Sequence, residues 1–222
     1  MNDSDFAVLR REMIVEIKAH AGMVADETGR PYFDQTVIDA LAKVPRHEFV
    51  PTEMRKYAYA DSPLPIGCGK TISQPFIVAL MTDLLELAPD DTVAEIGTGL
   101  GYQSAILAEL ADQVYTVEIF PELAEEAKHR HRKMGYRNIS IRIGDGAHGW
   151  ADHAPFDKIM VTAAPKLIPP ALIEQLKPGG RMVIPAGIED AQQLILVEKD
   201  PSGRSHTREI LPVRFSSFVI SH

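Results

Sequence analysis

The sequence predicts an α/β fold: a doubly wound, mostly parallel sheet with helices on both faces, preceded by an N-terminal helical extension. Two observations carry this prediction. Beyond Pro89, short β-branched runs alternate with segments of helical spacing, which is typical of βαβ units. A glycine-rich turn at residues 97–101 follows the first of these runs, where doubly wound folds commonly bind a ligand. We expect one domain over residues 1–222, with N-terminal helices and a cover over the binding site in residues 1–75 and the ligand-binding α/β core in residues 76–222.

The N-terminal third predicts helices interrupted by a segment without long regular structure. The apolar spacing in residues 6–20 predicts one helix, and Asp34 can cap a second helix that ends before Pro45. Between residues 62 and 75, three prolines and two glycines exclude a long regular element. Residues 76–87 are apolar enough to form a mostly buried helix.

The α/β core is predicted from the same kind of pattern. Strands are expected at residues 92–96, 114–118, 139–143, 158–162, 181–184 and 194–197, and residues 213–220 have the composition of a last strand. Helices are expected at residues 103–110, 121–134 and 169–176. Pro121 suits the start of its helix, because the missing N–H has no partner there in any case.

Composition and charge exclude several classes of protein. Of the 222 residues, 45% are hydrophobic and 24% are charged, which rules out wholesale disorder. The formal net charge of −8 argues against a general nucleic-acid binder. Cys68 is the one cysteine, so neither an internal disulfide nor a multi-cysteine metal cluster can form.

Targeting signals and metal-binding patterns are not evident in the sequence. No secretory signal and no membrane-spanning run can be read from it, so we expect a cytoplasmic protein. His129 and His131 lie among lysines and arginines on a predicted helix. Two positions apart on a helix, they point to different faces, and we expect a solvated, charged surface and no metal site.

The glycine-rich turn and the acid before it favour a cationic ligand over a dinucleotide. The turn is spaced G-x-G-x-G at Gly97, Gly99 and Gly101, not G-x-G-x-x-G as in dinucleotide sites. Glu95 stands two residues earlier, and its carboxylate would repel a pyrophosphate. S-adenosylmethionine carries an ammonium and a sulfonium but no phosphate, so it would suit this turn. Glycine-rich turns recur in many α/β proteins. This motif alone therefore leaves open whether the turn binds a cofactor or is only a structural turn.

Two further acids follow the next two predicted strands. Glu118 ends the second strand, close to the position ~20 residues after the turn where doubly wound folds bind ribose hydroxyls with an acid. Asp145, between two glycines, follows the third strand and could accept from an adenine amino group. Either acid alone is more often a solvated strand-end residue. Three acids at adjoining strand ends indicate a ligand site.

Several motifs together resemble one branch of a large family. Residues 93–107 resemble the first motif of class I S-adenosylmethionine-dependent methyltransferases. Residues 65–75, ending in Thr71-Ile-Ser-Gln-Pro75, resemble the signature of protein-L-isoaspartate (D-aspartate) O-methyltransferases. Further matches in the expected order lie at residues 44–50, 144–146, 155–165 and 176–180. The glycine turn indicates only the superfamily, whereas the 71–75 block indicates the branch.

The resemblance implies an activity and a set of site residues. It implies methyl transfer from S-adenosylmethionine, giving S-adenosyl-L-homocysteine, to the free carboxyl of L-isoaspartyl and D-aspartyl residues in damaged proteins and peptides, without a metal. It implies a single Rossmann-like methyltransferase domain of about seven strands, with Ser73 as the catalytic residue. It also implies cofactor-site positions at Thr71, Ser73, Glu95, Gly97, Gly99, Gly101, Glu118, Asp145 and Gly146.

Alternatives stay open at this point. Ser73 precedes a predicted helix and could serve mainly as its N-cap. The chain could be another class I methyltransferase, acting on a different carboxyl or on a small molecule, or a non-catalytic module that binds S-adenosylmethionine. The expected partners are isoaspartyl-containing proteins and peptides, without nucleic acid or membrane, and a monomer is the default. The sequence assigns no role to residues 22–33 and 213–222.

Overall fold

A seven-stranded sheet with helices around it forms the centre of the protein, as a computed structural model describes it over residues 2–220. This confirms the predicted α/β class. The strands, in chain order, are β1 (Leu64–Gly67), β2 (Lys70–Ile72), β3 (Thr92–Ile96), β4 (Gln113–Glu118), β5 (Ile139–Ile143), β6 (Phe156–Val161), β7 (Leu176–Ile188), β8 (Ala191–Lys199) and β9 (Ser205–Val213). Strands β1 and β2 form a separate antiparallel hairpin.

Seven α-helices surround the sheet in the described part of the chain. They are α1 (Asp3–Met23), α2 (Ala25–Thr28), α3 (Gln35–Lys43), α4 (Pro75–Leu85), α5 (Tyr102–Ala108), α6 (Pro121–Met134) and α7 (Pro170–Glu174). Two of the N-terminal helices have an N-cap side chain that accepts a hydrogen bond from a backbone N–H of the first turn. Asn2 caps α1 in a reciprocal capping box with Asp5, and Asp34 accepts from the Thr36 N–H to cap α3.

The order of the strands determines where a ligand can bind. The sheet runs β5-β4-β3-β6-β7-β8-β9, with β3 to β7 parallel and the last two strands antiparallel to their neighbours. The chain leaves β3 toward β4 on one side and later returns to β6 on the other. This is the topological switch point, where the carboxyl ends of the strands leave a crevice.

The central strands are buried on both faces. Val93 packs in one hydrophobic cluster together with the N-terminal helices, whereas its neighbours Ala94 and Ile96 pack in a second cluster on the opposite face. The alternation of side chains along a strand explains the division. Both clusters therefore hold β3 rigidly beneath the glycine turn that follows it.

The last strand differs from the sequence prediction. Strand β9 covers Ser205–Val213, so the predicted strand at residues 213–220 is wrong. Most side chains of β9 are polar and exposed, because it is an edge strand paired only with β8, and such a pattern gives no hydrophobic signal. Residues 214–219, hereafter the C-terminal segment, instead run irregularly across the carboxyl ends of the strands, and the side chain of Gln192 bonds the backbone of Phe215.

Two smaller features concern the segments rich in proline and glycine. Residues 62–75 contain the short β1–β2 hairpin, whose turn holds Cys68 at a φ of 50°. Strand β7 begins at Leu176 and includes the Pro-Gly-Gly sequence, with a shift of register against β6 that accommodates it. Within residues 2–220, no helix is both long enough and apolar enough to cross a membrane.

Candidate active site

A cavity of about 520 Å³ opens at the carboxyl ends of β3, β4 and β6. Three parts of the chain enclose it: the glycine turn after β3, the β1–β2 hairpin with the start of α4, and the C-terminal segment. Six of the predicted site residues lie on its wall, namely Thr71, Ser73, Gly97, Gly99, Glu118 and Gly146. The crevice expected at the switch point is thus covered by the hairpin that precedes the α/β core and by the C-terminal segment.

Two glycines let the backbone form the floor of this cavity. Gly97 has a φ of 99°, and a Cβ atom there would lie 2.3 Å from the Thr162 hydroxyl oxygen. That hydroxyl donates to the Gly97 carbonyl oxygen over 2.6 Å. A Cβ atom at Gly146 would lie 2.2 Å from Cγ2 of Ile96. Any side chain at either position would collide with the neighbouring strand.

Glu118 is buried at the end of β4, with its carboxylate on the cavity wall. Its Oε2 accepts from the backbone N–H of Gly99 at 2.7 Å, and its Oε1 accepts from that of Phe120 at 3.0 Å. A carboxylate offers about four acceptor positions, so each oxygen retains capacity for one ligand hydroxyl. The two backbone bonds fix the orientation of the group in advance.

Ser73 lies one residue before the N-cap of α4 and does not cap the helix. Gln74 is the N-cap residue and makes no side-chain cap, and the Asp61 carboxylate accepts from the Phe76 N–H at 2.8 Å. The Ser73 hydroxyl makes no hydrogen bond with any other part of the chain that the structure describes. It is therefore available on the cavity wall for a ligand.

The backbone around Ser73 is held by a buried arginine. The guanidinium of Arg46 donates to the Ser73 carbonyl oxygen at 2.6 Å and to the Ala58 carbonyl oxygen at 2.7 Å. It also lies 4.9 Å from the centre of the Tyr102 ring. Complete burial lowers the pKa of Arg46 to about 10, which leaves the side chain charged at neutral pH. A buried cation thus fixes the position of the 71–75 block.

Three predicted site residues lie behind the wall instead of on it. Glu95 is fully buried and bonds the Ser104 hydroxyl, and burial raises its pKa to about 8, so it carries a proton at neutral pH. Gly101 packs against the imidazole of His131. Asp145 accepts from the Ala147 N–H at 2.8 Å and thereby shapes the turn that presents Gly146.

Sequence reasoning missed several residues of the site, and one expectation was wrong. His131 is only 4% exposed and bonds the glycine turn, so it does not lie on a solvated face. Lys70, Thr162 and the C-terminal segment also line the cavity. Thr162 follows a strand at the same sheet edge as the three acids, a position that could have revealed it. Lys70 and the C-terminal segment are far apart in the sequence, and no local pattern brings them together.

Comparison with known proteins identifies the family. The family model described as Protein-L-isoaspartate(D-aspartate) O-methyltransferase (PCMT) matches residues 18–221, which is most of the chain. The chain belongs to this family. A protein-L-isoaspartate O-methyltransferase 1 from Polaromonas sp. strain JS666 is 63% identical, over 97% of this chain and 92% of the relative. Another, from Cupriavidus necator, is 52% identical over 99% of this chain and 85% of the relative.

Solved structures share the same fold. A protein-L-isoaspartate O-methyltransferase structure has a TM-score of 0.80 and 27% identity, with 94% of this chain and 65% of that chain covered. A Plasmodium falciparum beta-aspartate methyltransferase in complex with S-adenosyl-L-homocysteine has a TM-score of 0.74 and 22% identity, with 84% and 91% covered. The fold of the PCMT family is thus present over nearly the whole chain.

The cavity fits S-adenosylmethionine, the methyl donor that PCMT enzymes use. Its volume lies within the range of ~300–1,000 Å³ that is usual for sites of small molecules and cofactors. The backbone at Gly97 and Gly146 admits close approach of a ligand, and Glu118 offers acceptor capacity for hydroxyl groups. Within residues 2–220, no three His, Cys, Asp or Glu side chains are grouped so that they could hold a metal ion.

Proposed function

We propose that the protein transfers a methyl group from S-adenosylmethionine to the free carboxyl of L-isoaspartyl and D-aspartyl residues in proteins and peptides. Its membership of the PCMT family supports this reaction. The structural observation that carries the proposal is the position of Ser73, whose hydroxyl shares one cavity with Gly97 and Glu118. The methyl ester formed in this way would collapse to a succinimide, which reopens in part to normal aspartate.

The reaction needs no acid–base catalysis by the protein. S-adenosylmethionine supplies a methyl group on a positively charged sulfur: a carboxylate oxygen bonds the methyl carbon as the carbon–sulfur bond breaks, and the electron pair of that bond stays on sulfur. A carboxyl group with a pKa of about 4 is already ionised at neutral pH, so no general base is needed. The chain must hold both reactants in line and exclude water.

Residues of the wall divide these tasks between them. Glu118 and the backbone at Gly97 bind the donor, with Glu118 accepting from its ribose hydroxyls. The Ser73 hydroxyl donates to one oxygen of the acceptor carboxylate and leaves the other oxygen to react. Apolar side chains, among them Ile77 and Phe215, exclude water from the cavity. A medium of low polarity favours a step in which opposite charges neutralise each other.

Radiolabelled methyl transfer tests the proposal directly. Two peptides that differ only in an isoaspartyl or a normal aspartyl residue are incubated with the protein and labelled S-adenosylmethionine. We expect label only in the isoaspartyl peptide, as an ester that mild base releases as methanol. S-adenosyl-L-homocysteine should inhibit the transfer. Equal labelling of the two peptides, or label that resists base, would contradict the proposed substrate.

A further inference from the structure

Lys70 joins the two segments that close the cavity. It lies at the start of β2, and its Nζ donates to the carbonyl oxygen of Ser217 at 3.0 Å, which connects the hairpin to the C-terminal segment. The same Nζ lies 5.5 Å from the centre of the Phe120 ring. Lys70 is also only one residue from Thr71 and three from Ser73, and all three line the cavity.

The charges on the cavity wall single out Lys70 as a site for an anion. Among the residues that the structure describes, the charged side chains on the wall are Lys70, Glu118 and Arg214. Glu118 is already bonded to two backbone N–H groups, and the Arg214 side chain is exposed. The Lys70 ammonium has three donors, but within residues 2–220 it has only one hydrogen-bond acceptor, an uncharged carbonyl oxygen. A carboxylate would be a stronger acceptor than that carbonyl.

We propose that the Lys70 ammonium binds the carboxylate of the methyl acceptor and so selects substrates with a free carboxylate at this position. This inference rests on the proposed function, in which that carboxylate enters the cavity beside Ser73. One carboxylate oxygen takes the place of, or shares Nζ with, the Ser217 carbonyl, and the other oxygen faces the methyl group. Lys70 is thus a specificity-determining residue that contacts substrate.

The chemistry of the step fixes the kinetic signature of such a contact. The acceptor carboxylate loses its negative charge as the new bond forms, so an ammonium stabilises the bound substrate at least as well as the transition state. A contact of this kind lowers KM and does not raise kcat. It also favours release of the product, because an ester carries no charge for Lys70 to bind. A residue that only held the cavity closed would instead alter kcat or the affinity for the donor.

Peptide binding measured by calorimetry tests the proposal without relying on turnover. Protein saturated with S-adenosyl-L-homocysteine is titrated with an isoaspartyl peptide and with its analogue, in which a carboxamide replaces the free carboxylate. We expect wild type to prefer the carboxylate by about tenfold, the effect of one charge-assisted hydrogen bond. Lys70→Gln should lose most of this preference, and Lys70→Arg should keep it. Lys18→Gln, which removes an exposed lysine of α1, should behave as wild type.

Kinetics on the same variants provide the second readout. For Lys70→Gln we expect KM for the peptide to rise about tenfold, with kcat unchanged within twofold and the dissociation constant of S-adenosyl-L-homocysteine unchanged within twofold. Retention of the carboxylate preference by Lys70→Gln, or a fall in kcat with KM unchanged, would overturn the assignment. Failure of the wild-type protein to methylate the isoaspartyl peptide would instead refute the proposed function, so the two outcomes are distinguishable.

Discussion

The imidazole of His131 donates from Nε2 to the carbonyl oxygen of Gly101, 2.8 Å away, and so ties α6 to the glycine turn. A carbonyl oxygen can only accept a hydrogen bond, so Nε2 carries the proton of the neutral ring and the buried Nδ1 carries none. Burial lowers the pKa of His131, which keeps the ring neutral at neutral pH. The ring also occupies the space beside Gly101, where a Cβ atom would lie 2.3 Å from Nε2.

Replacing His131 should therefore destabilise the protein through the turn. His131→Leu leaves the Gly101 carbonyl without its donor, and we expect the free energy of unfolding to fall by about 1–3 kcal/mol. His131→Gln can still donate an N–H and should lose less than half as much. Urea unfolding at neutral pH measures both. If Leu and Gln cost the same, ring packing and not the hydrogen bond is what stabilises the turn.

The burial of His131 could have been predicted from the sequence, whereas the contact between Lys70 and Ser217 could not. Leu123, Ala127 and His131 follow one another at intervals of four and share the buried face of α6, so helical spacing alone could have placed the ring inside. The surrounding lysines and arginines obscured that spacing. The contact between Lys70 and Ser217 is different, because 147 residues separate the two and no periodicity connects them.

The same contrast holds for the strands. Strands β3, β4 and β5 consist mostly of β-branched and apolar residues, so they were predicted within one residue at each end, even though β5 is itself an edge strand. Strand β9 is a polar edge strand and was misplaced by about its own length. The positions of glycines and acids along the chain predicted only part of the cavity wall, because Glu95, Gly101 and Asp145 lie behind it. The cover over the cavity depends on tertiary contacts of the C-terminal segment.

Glu118→Ala should weaken binding of the cofactor product. The change removes the acceptor that we propose for ribose hydroxyls and also leaves the N–H groups of Gly99 and Phe120 without their partner. We expect the dissociation constant of S-adenosyl-L-homocysteine to rise by about 5- to 150-fold, equivalent to ~1–3 kcal/mol. Calorimetry measures it, with Glu122→Ala, an exposed acid in the first turn of α6, as the matched control. An affinity equal to that of wild type would remove Glu118 from the ligand site.

Gly97→Ala should damage both the fold and the site. Its φ of 99° is unfavourable for any side chain, and the new Cβ would meet the Thr162 hydroxyl at 2.3 Å. We expect the free energy of unfolding to fall by about 2–4 kcal/mol and S-adenosyl-L-homocysteine to bind at least tenfold more weakly. Gly135→Ala is the control, since its φ of 83° carries the same conformational cost with nothing within 4 Å. If both variants lost a similar free energy of unfolding, the positive φ and not the contact with Thr162 would account for the destabilisation.

Glu95→Gln should change the pH dependence of stability. Burial raises the pKa of this carboxyl from 4.5 in the unfolded chain to about 8 in the fold, so the folded state holds a proton that the unfolded state releases. The stability that this proton contributes is complete below about pH 4.5 and is lost as the pH rises toward 8. Glutamine is neutral in both states and removes this loss.

We therefore expect Glu95→Gln to be more stable than wild type by about 1–3 kcal/mol at neutral pH, and the difference to grow with pH. Urea unfolding of both proteins between about pH 5 and pH 8 provides the comparison, with Glu109→Gln as a control at a partly exposed acid. Curves that stay parallel over this range would mean that Glu95 is ionised in the folded protein.

Ser73→Ala and Asp61→Ala should separate catalysis from helix capping. The structure gives the cap of α4 to Asp61, so Asp61→Ala should lower the free energy of unfolding by about 0.5–2 kcal/mol. Ser73→Ala removes a hydroxyl that stabilises no part of the described chain, so stability should change by less than about 0.5 kcal/mol.

Turnover of an isoaspartyl peptide by Ser73→Ala should nevertheless fall about tenfold or more, because the acceptor carboxylate loses a donor that orients it. Urea unfolding and labelled methyl transfer per folded molecule measure the two effects. If Ser73→Ala lost stability as Asp61→Ala does and kept its turnover, Ser73 would be a structural residue and not a catalytic one.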